Sequence, residues 1–287
     1  MTQTPHSSEP GAEPGSDPRN ARRGGRAHGR ARGRTRARAT ALAVATVVVG
    51  ATALTGCGSA DIDDAPVERK TFPLSGKALT VESDNTPLDI VAADVDEVEV
   101  TRQVDGWVVL GSGPNKSWRM ADGKLTLKVD CDGVASHCEG RHTIKVPRGV
   151  DVTVNDANGG VTASGFSTAL KIDSDNGKVV VRDASGPLDL RSDNGRVDTE
   201  RITSTTVKAV SDNGSVKLRL GVAPDRVETV SDNGSVDIEL PSAGAPYAVT
   251  AKSDNGSVDV SVPTDDASAR TVTAKSDNGK VVVRIAN

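Results

Sequence analysis

The sequence predicts an all-β protein: a single β-solenoid (β-helix-like) domain of roughly 20-residue coils behind a disordered tail and a signal segment. Three observations carry that expectation. The tetrapeptide Ser-Asp-Asn-Gly recurs six times, beginning at Ser174, Ser192, Ser211, Ser231, Ser253 and Ser276, with spacings of 18, 19, 20, 22 and 23 residues. Apolar and polar residues alternate on both sides of each copy, which is the period of a strand. Aromatic residues make up only 2% of the chain, which suits a narrow interior filled by Val, Leu, Ile and Ala.

The repeat reads in register. With its Ser taken as zero, positions −4, −2, +5, +7 and +9 are apolar or small. Around Ser231 they are Val227, Thr229, Val236, Ile238 and Leu240; around Ser276 they are Val272, Ala274, Val281, Val283 and Ile285. Degenerate copies extend the series upstream. Asp156-Ala157-Asn158-Gly159 lies 18 residues before Ser174, and Ser83-Asp84-Asn85-Thr86 carries Leu79, Val81, Leu88, Ile90 and Ala92 at the same places. Each repeat is thus two short strands with one inward face apiece. The odd step from zero to +5 forbids a straight join, and Asn-Gly is expected at the bend because both residues tolerate positive φ.

Within the tetrapeptide, Ser is expected inward, Asp outward, and Asn inward or in the bend. Asn side chains stacked one coil apart, roughly 4.8 Å, form an amide ladder. Its members here are Asn158, Asn176, Asn194, Asn213, Asn233, Asn255 and Asn278. A motif repeated six times reads as structure, since catalysis needs one converging constellation. The rival reading is a hard cation between outward carboxylates, with calcium at Asp193, Asp212 and Asp232. Lys178, Arg191, Arg196, Lys252, Lys275 and Lys280 stand beside the Asp column and can neutralise it instead. No cofactor is expected.

Residues 1–38 are Pro/Gly/Ser-rich and then Arg-rich, with nine Arg from Arg19 to Arg38, and read as a disordered basic region. Residues 39–56, ATALAVATVVVGATALTG, carry no charge. Cys57 follows, completing Leu54-Thr55-Gly56-Cys57, which resembles the bacterial lipobox. Basic stretch, short apolar stretch and small-residue cleavage site come in the order of a secretory signal. The resemblance implies cleavage between Gly56 and Cys57, a diacylglycerol thioether on Cys57, and anchoring on the extracytoplasmic face of the cell membrane. Residues 57–70 then read as a lipidated tether and 71–287 as the solenoid. Removing the nine Arg and three acidic residues of 1–56 leaves 26 basic against 36 acidic residues, a net charge of −10. That balance argues against nucleic acid as a partner.

Cys131 and Cys138 are close in sequence and, outside the cytoplasm, read as a disulfide. The rival is a metal site with His137 and His142, whose spacing fits no common zinc finger. Residues from about 101 to 141 break the period and hold both Trp residues. They are expected to form hairpins, with strands at 107–110 and 125–130, covering the first coils. Trp107 and Trp118 read as cap packing or, alternatively, as a ligand surface.

Taken together, Leu54–Cys57, the Cys131/Cys138 loop, Ile144-Lys-Val-Pro-Arg-Gly149 and the Ser-Asp-Asn-Gly series resemble the actinobacterial DUF4097 β-strand repeat proteins, an adhesin-like group. The resemblance covers roughly residues 71 to 287. It implies a β-solenoid at the cell surface and brings no catalytic residues with it.

The reading that follows is a non-enzymatic, lipid-anchored envelope protein with an adhesin-like interaction surface for a glycan or another envelope protein. An accessory or sensory lipoprotein in envelope stress or assembly is the alternative. A carbohydrate-active β-helix enzyme fits less well, because no His lies among the repeats and no acidic pair stands out from the periodic background. The chain stops soon after the strand 281–285, so the C-terminal coil is expected to leave its edge open to weak self-association or a docking partner.

Overall fold

The computed structural model describes residues 62–242 and 244–286. The stretches read above as a basic tail, a signal segment and a lipobox, Cys57 included, lie outside the described residues. No helix among the described residues is long and apolar enough to cross a membrane.

Among the described residues the first elements are a short strand, β1 (Glu68–Phe72), and a first coil, β2 (Ala78–Ser83) and β3 (Leu88–Ala93). Two long strands follow, β4 (Val98–Ala121) and β5 (Lys124–Pro147). Regular coils then run as β6 (Asp151–Asp156) and β7 (Val161–Ser164), β8 (Leu170–Ser174) and β9 (Val179–Arg182), β10 (Leu188–Ser192) and β11 (Val197–Glu200). They continue as β12 (Thr206–Ser211) and β13 (Val216–Arg219), β14 (Arg226–Ser231) and β15 (Val236–Leu240). The last two are β16 (Ala248–Ser253) and β17 (Val258–Ser261), then β18 (Thr271–Ser276) and β19 (Val281–Ile285).

Each coil gives one strand to each of two parallel walls, a β-solenoid as the repeats require. One wall runs β2, β6, β8, β10, β12, β14, β18, β16, and the other β3, β7, β9, β11, β13, β15, β19, β17. The pairing is in register: Ser192 lies beside Ser174, Ser211 beside Ser192, and Ser231 beside Ser211. The inward positions form the core. In the β12–β13 coil Val207, Ala209, Val216 and Leu218 are buried, each of the larger ones contributing roughly 1.5–3 kcal/mol.

Spatial order departs from chain order at both ends. The coil of β18 and β19 is inserted between that of β14 and β15 and that of β16 and β17. The open edge is therefore not the C-terminal coil: Val281 and Val283 are fully buried, whereas Val258 and Val260, on β17, are 44% and 38% exposed. This placement removes the basis for self-association through residues 281–285. The longer spacings of the last two repeats supply the chain needed to go out one coil and return.

At the other end, Lys124–Leu127 of β5 pairs with β2 and His142–Pro147 with β3, so β5 forms a coil outside the first one. Residues 128–141 replace the usual bend with an excursion. β4 follows β5 antiparallel along nearly its whole length, and β1 closes the edge against β4. The expected short hairpins at 107–110 and 125–130 are thus parts of one long two-stranded ribbon, folded over both walls.

The reason for Gly in the repeat also differs from the expectation. None of the positive-φ residues is a Ser-Asp-Asn-Gly Asn or Gly. Close approach decides instead: a Cβ on Gly195 would stand 1.9 Å from the Gly177 carbonyl oxygen and 2.7 Å from Ser192 Oγ.

Candidate functional site

The bend column is a double ladder. Inside, Ser192, Ser211, Ser231, Ser276 and Ser253 each donate through Oγ to the repeat Gly carbonyl of the neighbouring coil, at 2.7–3.0 Å. The Gly N–H of the same coil donates back, as from Gly195 to Ser192 Oγ and from Gly214 to Ser211 Oγ, both 2.8 Å. The buried hydroxyl thus satisfies one donor and one acceptor that the bend would otherwise leave unpaired. Outside, Nδ2 of each Asn donates to Oδ1 of the next, at 2.9–3.1 Å. The ladder runs Asn85, Asn158, Asn176, Asn194, Asn213, Asn233, Asn278, Asn255. It lies on the exposed side of the bend, and the transposed last coils are written into its order. Asn85 joins the ladder although Thr86 stands in place of its Gly; the Ser83-Asp84-Asn85 match is the sequence signal for it.

In the Asp column, Arg191 bridges Asp193 and Asp212, with Nη2 3.0 Å from a carboxylate oxygen of each. Lys252 holds Asp254 at 2.6 Å. Among the described residues, no group of three His, Cys, Asp or Glu is placed to hold a metal ion. A guanidinium thus takes the place between Asp193 and Asp212 that the cation reading assigned to calcium.

Asp156 breaks the inner ladder. It takes the Ser place between Ser83 and Ser174, is buried, and neither carboxylate oxygen has a well-formed hydrogen bond. Burial pushes its pKa up to about 7, against the opposing pull of Ser83 and the Gly159 N–H, while Asp175 and Asp84 raise it further. A neutral carboxyl combines an O–H donor with an acceptor, as the replaced hydroxyl does. Over the same coils, Glu82, Asp84, Asn155, Asp173 and Asp175 line an outer groove of about 370 Å³.

One coil further out, the polar line continues. Thr86 Oγ1 lies 3.5 Å from Ser83 Oγ and 2.8 Å from His142 Nδ1. His142 is fully buried and its Nε2 is unpartnered. Burial, and then the charge of Arg102, lower its pKa to about 4, so the ring is neutral. Arg102 is the cross-strand neighbour of His142, donates to Glu68 through Nε and Nη2, and stacks 3.9 Å from the Trp118 ring centre. Glu68 also accepts from Lys116, and these two cations hold its carboxyl below the usual range. Glu68, Arg102, His142, Thr86, Ser83 and Asp156 thus form a polar seam through the cap. Ser83 and Asp156 carried a sequence signal as members of degenerate repeat copies, Asp156 as the one carboxylate in a Ser column; His142 sits in a coil whose missing tetrapeptide hid its register.

The two Trp residues are separated. Trp118 packs edge-on to Phe72 at 6.4 Å and beneath Arg102, as part of the cap. Trp107 stands on the excursion of the ribbon, 48% exposed, opposite His137. Cys131 and Cys138 are joined in a disulfide with their Cα atoms 6.5 Å apart, closing the β5 excursion at its base.

A family model described as Toastrack DUF4097 matches residues 117–287. No curated protein matches the chain. Among solved structures, a provisionally named cell adhesion protein from Clostridium sporogenes is 12% identical with a TM-score of 0.33, over 77% of this chain and 100% of that one. A provisionally named adhesin from Parabacteroides distasonis is 10% identical with a TM-score of 0.39, over 77% of this chain and 98% of that one. Another, from Parabacteroides merdae, is 13% identical with a TM-score of 0.35, over 78% and 98%.

Proposed function

The chain belongs to the Toastrack DUF4097 family, and from that premise we propose that it is a non-enzymatic, lipid-anchored envelope protein whose solenoid walls act as an adhesin-like binding surface. The observation that carries this reading is the arrangement of outward side chains in straight rows. On one wall Arg182, Glu200, Arg219, Glu239 and Arg284 succeed each other strand by strand, paired at 2.5–4.0 Å. Lys217 adds a second contact to Asp237 and Glu239 at 3.8 and 3.9 Å. Rows of this kind do not converge on one reacting atom, which general acid–base and nucleophilic chemistry require. They do present a long, flat, self-neutralised face, fitted to an extended ligand such as a glycan or a second envelope protein. The fully buried His142 lies inside the fold, and Asp156, at the floor of the groove beside Glu82 and Asp84, is 3% exposed.

Support for the anchor comes from Leu54-Thr55-Gly56-Cys57 after an uncharged stretch. Cys57→Ala should leave uncleaved precursor and abolish labelling by a fatty-acid probe; unchanged labelling refutes the anchor. For the surface, glycan-array and envelope-fraction binding should weaken on reversing Lys217 and Arg219 to Glu. Binding that ignores both substitutions would sink the wall as the interaction surface.

A further inference from the structure

Four of the eight exposed large hydrophobic side chains among the described residues lie together on the β4–β5 excursion: Trp107, Val109, Leu110 and Val134. Val109 is 49% exposed, Leu110 82% and Val134 81%. The cross-strand register places Trp107 and Val109 two residues apart on one strand face, opposite His137 and Ala135. Leu110 and Val134 stand at the tip, between the Val109–Ala135 and Gly111–Gly133 rungs. From Gly106 to Ser112 there is no charged residue, and between Cys131 and Cys138 only Asp132 and His137 titrate. The Cys131–Cys138 disulfide holds this apolar loop in shape, which lowers the ordering cost of any contact it makes.

The chain enters the domain beside the same ribbon. Gln103 Nε2 donates to the carbonyls of Ile62 and Ala65 at 3.1 and 3.4 Å, and Arg141 pairs with Asp63 at 2.9 Å. Gln103 and Arg141 are themselves cross-strand partners on β4 and β5. From Gln103, Trp107 is four residues along the strand, at most about 13 Å away, and Leu110 at most about 23 Å. From Cys57 to Ile62 there are five residue steps, spanning at most about 18 Å.

We propose that the tip formed by Trp107, Val109, Leu110 and Val134 inserts into the interfacial layer of the bilayer that holds the Cys57 lipid, giving the domain a second membrane contact. This rests on the lipid-anchor reading, because the short tether is what keeps the tip within reach of the surface. Trp favours the headgroup boundary, where its ring is apolar and its N–H stays wet. The four tip side chains carry no charge, so burying them beneath the headgroups brings no charge-desolvation penalty, and the exposed Asp132 and Glu139 flank them.

The test uses the full chain reconstituted into phosphatidylcholine vesicles with brominated acyl chains, which quench only Trp residues in contact with lipid. Emission of the Trp107→Phe variant supplies the Trp118 background, and mass spectrometry on the same sample reports lipid on Cys57. Loss of most of the Trp107 emission is expected, with emission restored by the L110D/V134D double variant, whose substituted sites are exposed and leave the core intact. Trp107 that stays bright and open to aqueous iodide, in protein whose Cys57 carries lipid, overturns the proposal and leaves the tip for a protein partner. Quenching without lipid on Cys57 removes the anchor reading but upholds the tip contact. Neither signal removes both.

Discussion

Replacing Asp156 by Ser should stabilise the protein at neutral pH and reverse the sign of its pH dependence relative to the His142→Val variant. Asp156 has its pKa raised to about 7 from 3.8, chiefly by burial. The folded state therefore holds a proton that the unfolded chain has released, and stability falls as pH rises from about 4 to 7. A rise of that size amounts to about 4 kcal/mol, reached in full only above the folded pKa. His142 does the opposite. Its pKa is lowered from 6.5 to about 4 by burial and by Arg102. Its contribution is present above pH 6.5 and is lost as pH falls through that window, by about 3 kcal/mol in all. Between about pH 4 and 6.5 the two slopes, each about 1.4 kcal/mol per pH unit, cancel in the native sequence. Asp156→Ser restores the repeat hydroxyl and leaves His142 unopposed, so stability relative to the parent should climb with pH across that window. His142→Val, which places a common core residue at +5, should show a relative decline over the same window. The neighbouring carboxylates Glu82, Asp84, Asp173 and Asp175 stay in every variant, so differences between variants isolate the two groups. Urea denaturation at pH 4, 5, 6, 7 and 8 measures each curve. Stability profiles for D156S and the parent that run parallel would falsify the assignment of a neutral buried carboxyl at Asp156.

Two further outcomes are specific to this arrangement. Deleting residues 269–287 removes β18 and β19, the strands against which β16 and β17 pair, so amide exchange protection of 248–261 should collapse with them; retained protection would mean coils stacked in chain order. Ser211→Ala strips a buried hydroxyl from the Gly195 carbonyl and the Gly214 N–H and should cost about 1–3 kcal/mol. Asn213→Ala breaks two exposed amide links and should cost about 0.5–1 kcal/mol, so thermal or urea unfolding that ranks the two in reverse order would contradict the double ladder.

Much of the coil was legible in the chain because its determinants are local. Alternation chooses the inward face, as with Val227, Val236 and Ile238, and the tetrapeptide marks each bend. The function of its Gly was not legible from local preference, since the demand comes from a carbonyl on the next coil, 1.9 Å from where a Cβ on Gly195 would stand. Asp156 announced itself as an exception in a Ser column. Its partner across the cap did not, because His142 acquires its place only when β5 folds over β2 and β3.

By itself, then, the sequence determined the all-β class, the two-strand coil, the inward positions and the bend, all of them set by residues within one repeat. Only the tertiary structure decided which coil lies next to which. Neighbouring coils offer nearly identical edges, the same backbone donors and acceptors with the same Ser, Asn and Gly in line, so edge chemistry alone does not distinguish one stacking order from another. Loop length and end closure do. The extra residues after β15 and β17 let β18 and β19 slip inside the coil that precedes them, burying Val281 and Val283 and leaving Val258 and Val260 at the open edge.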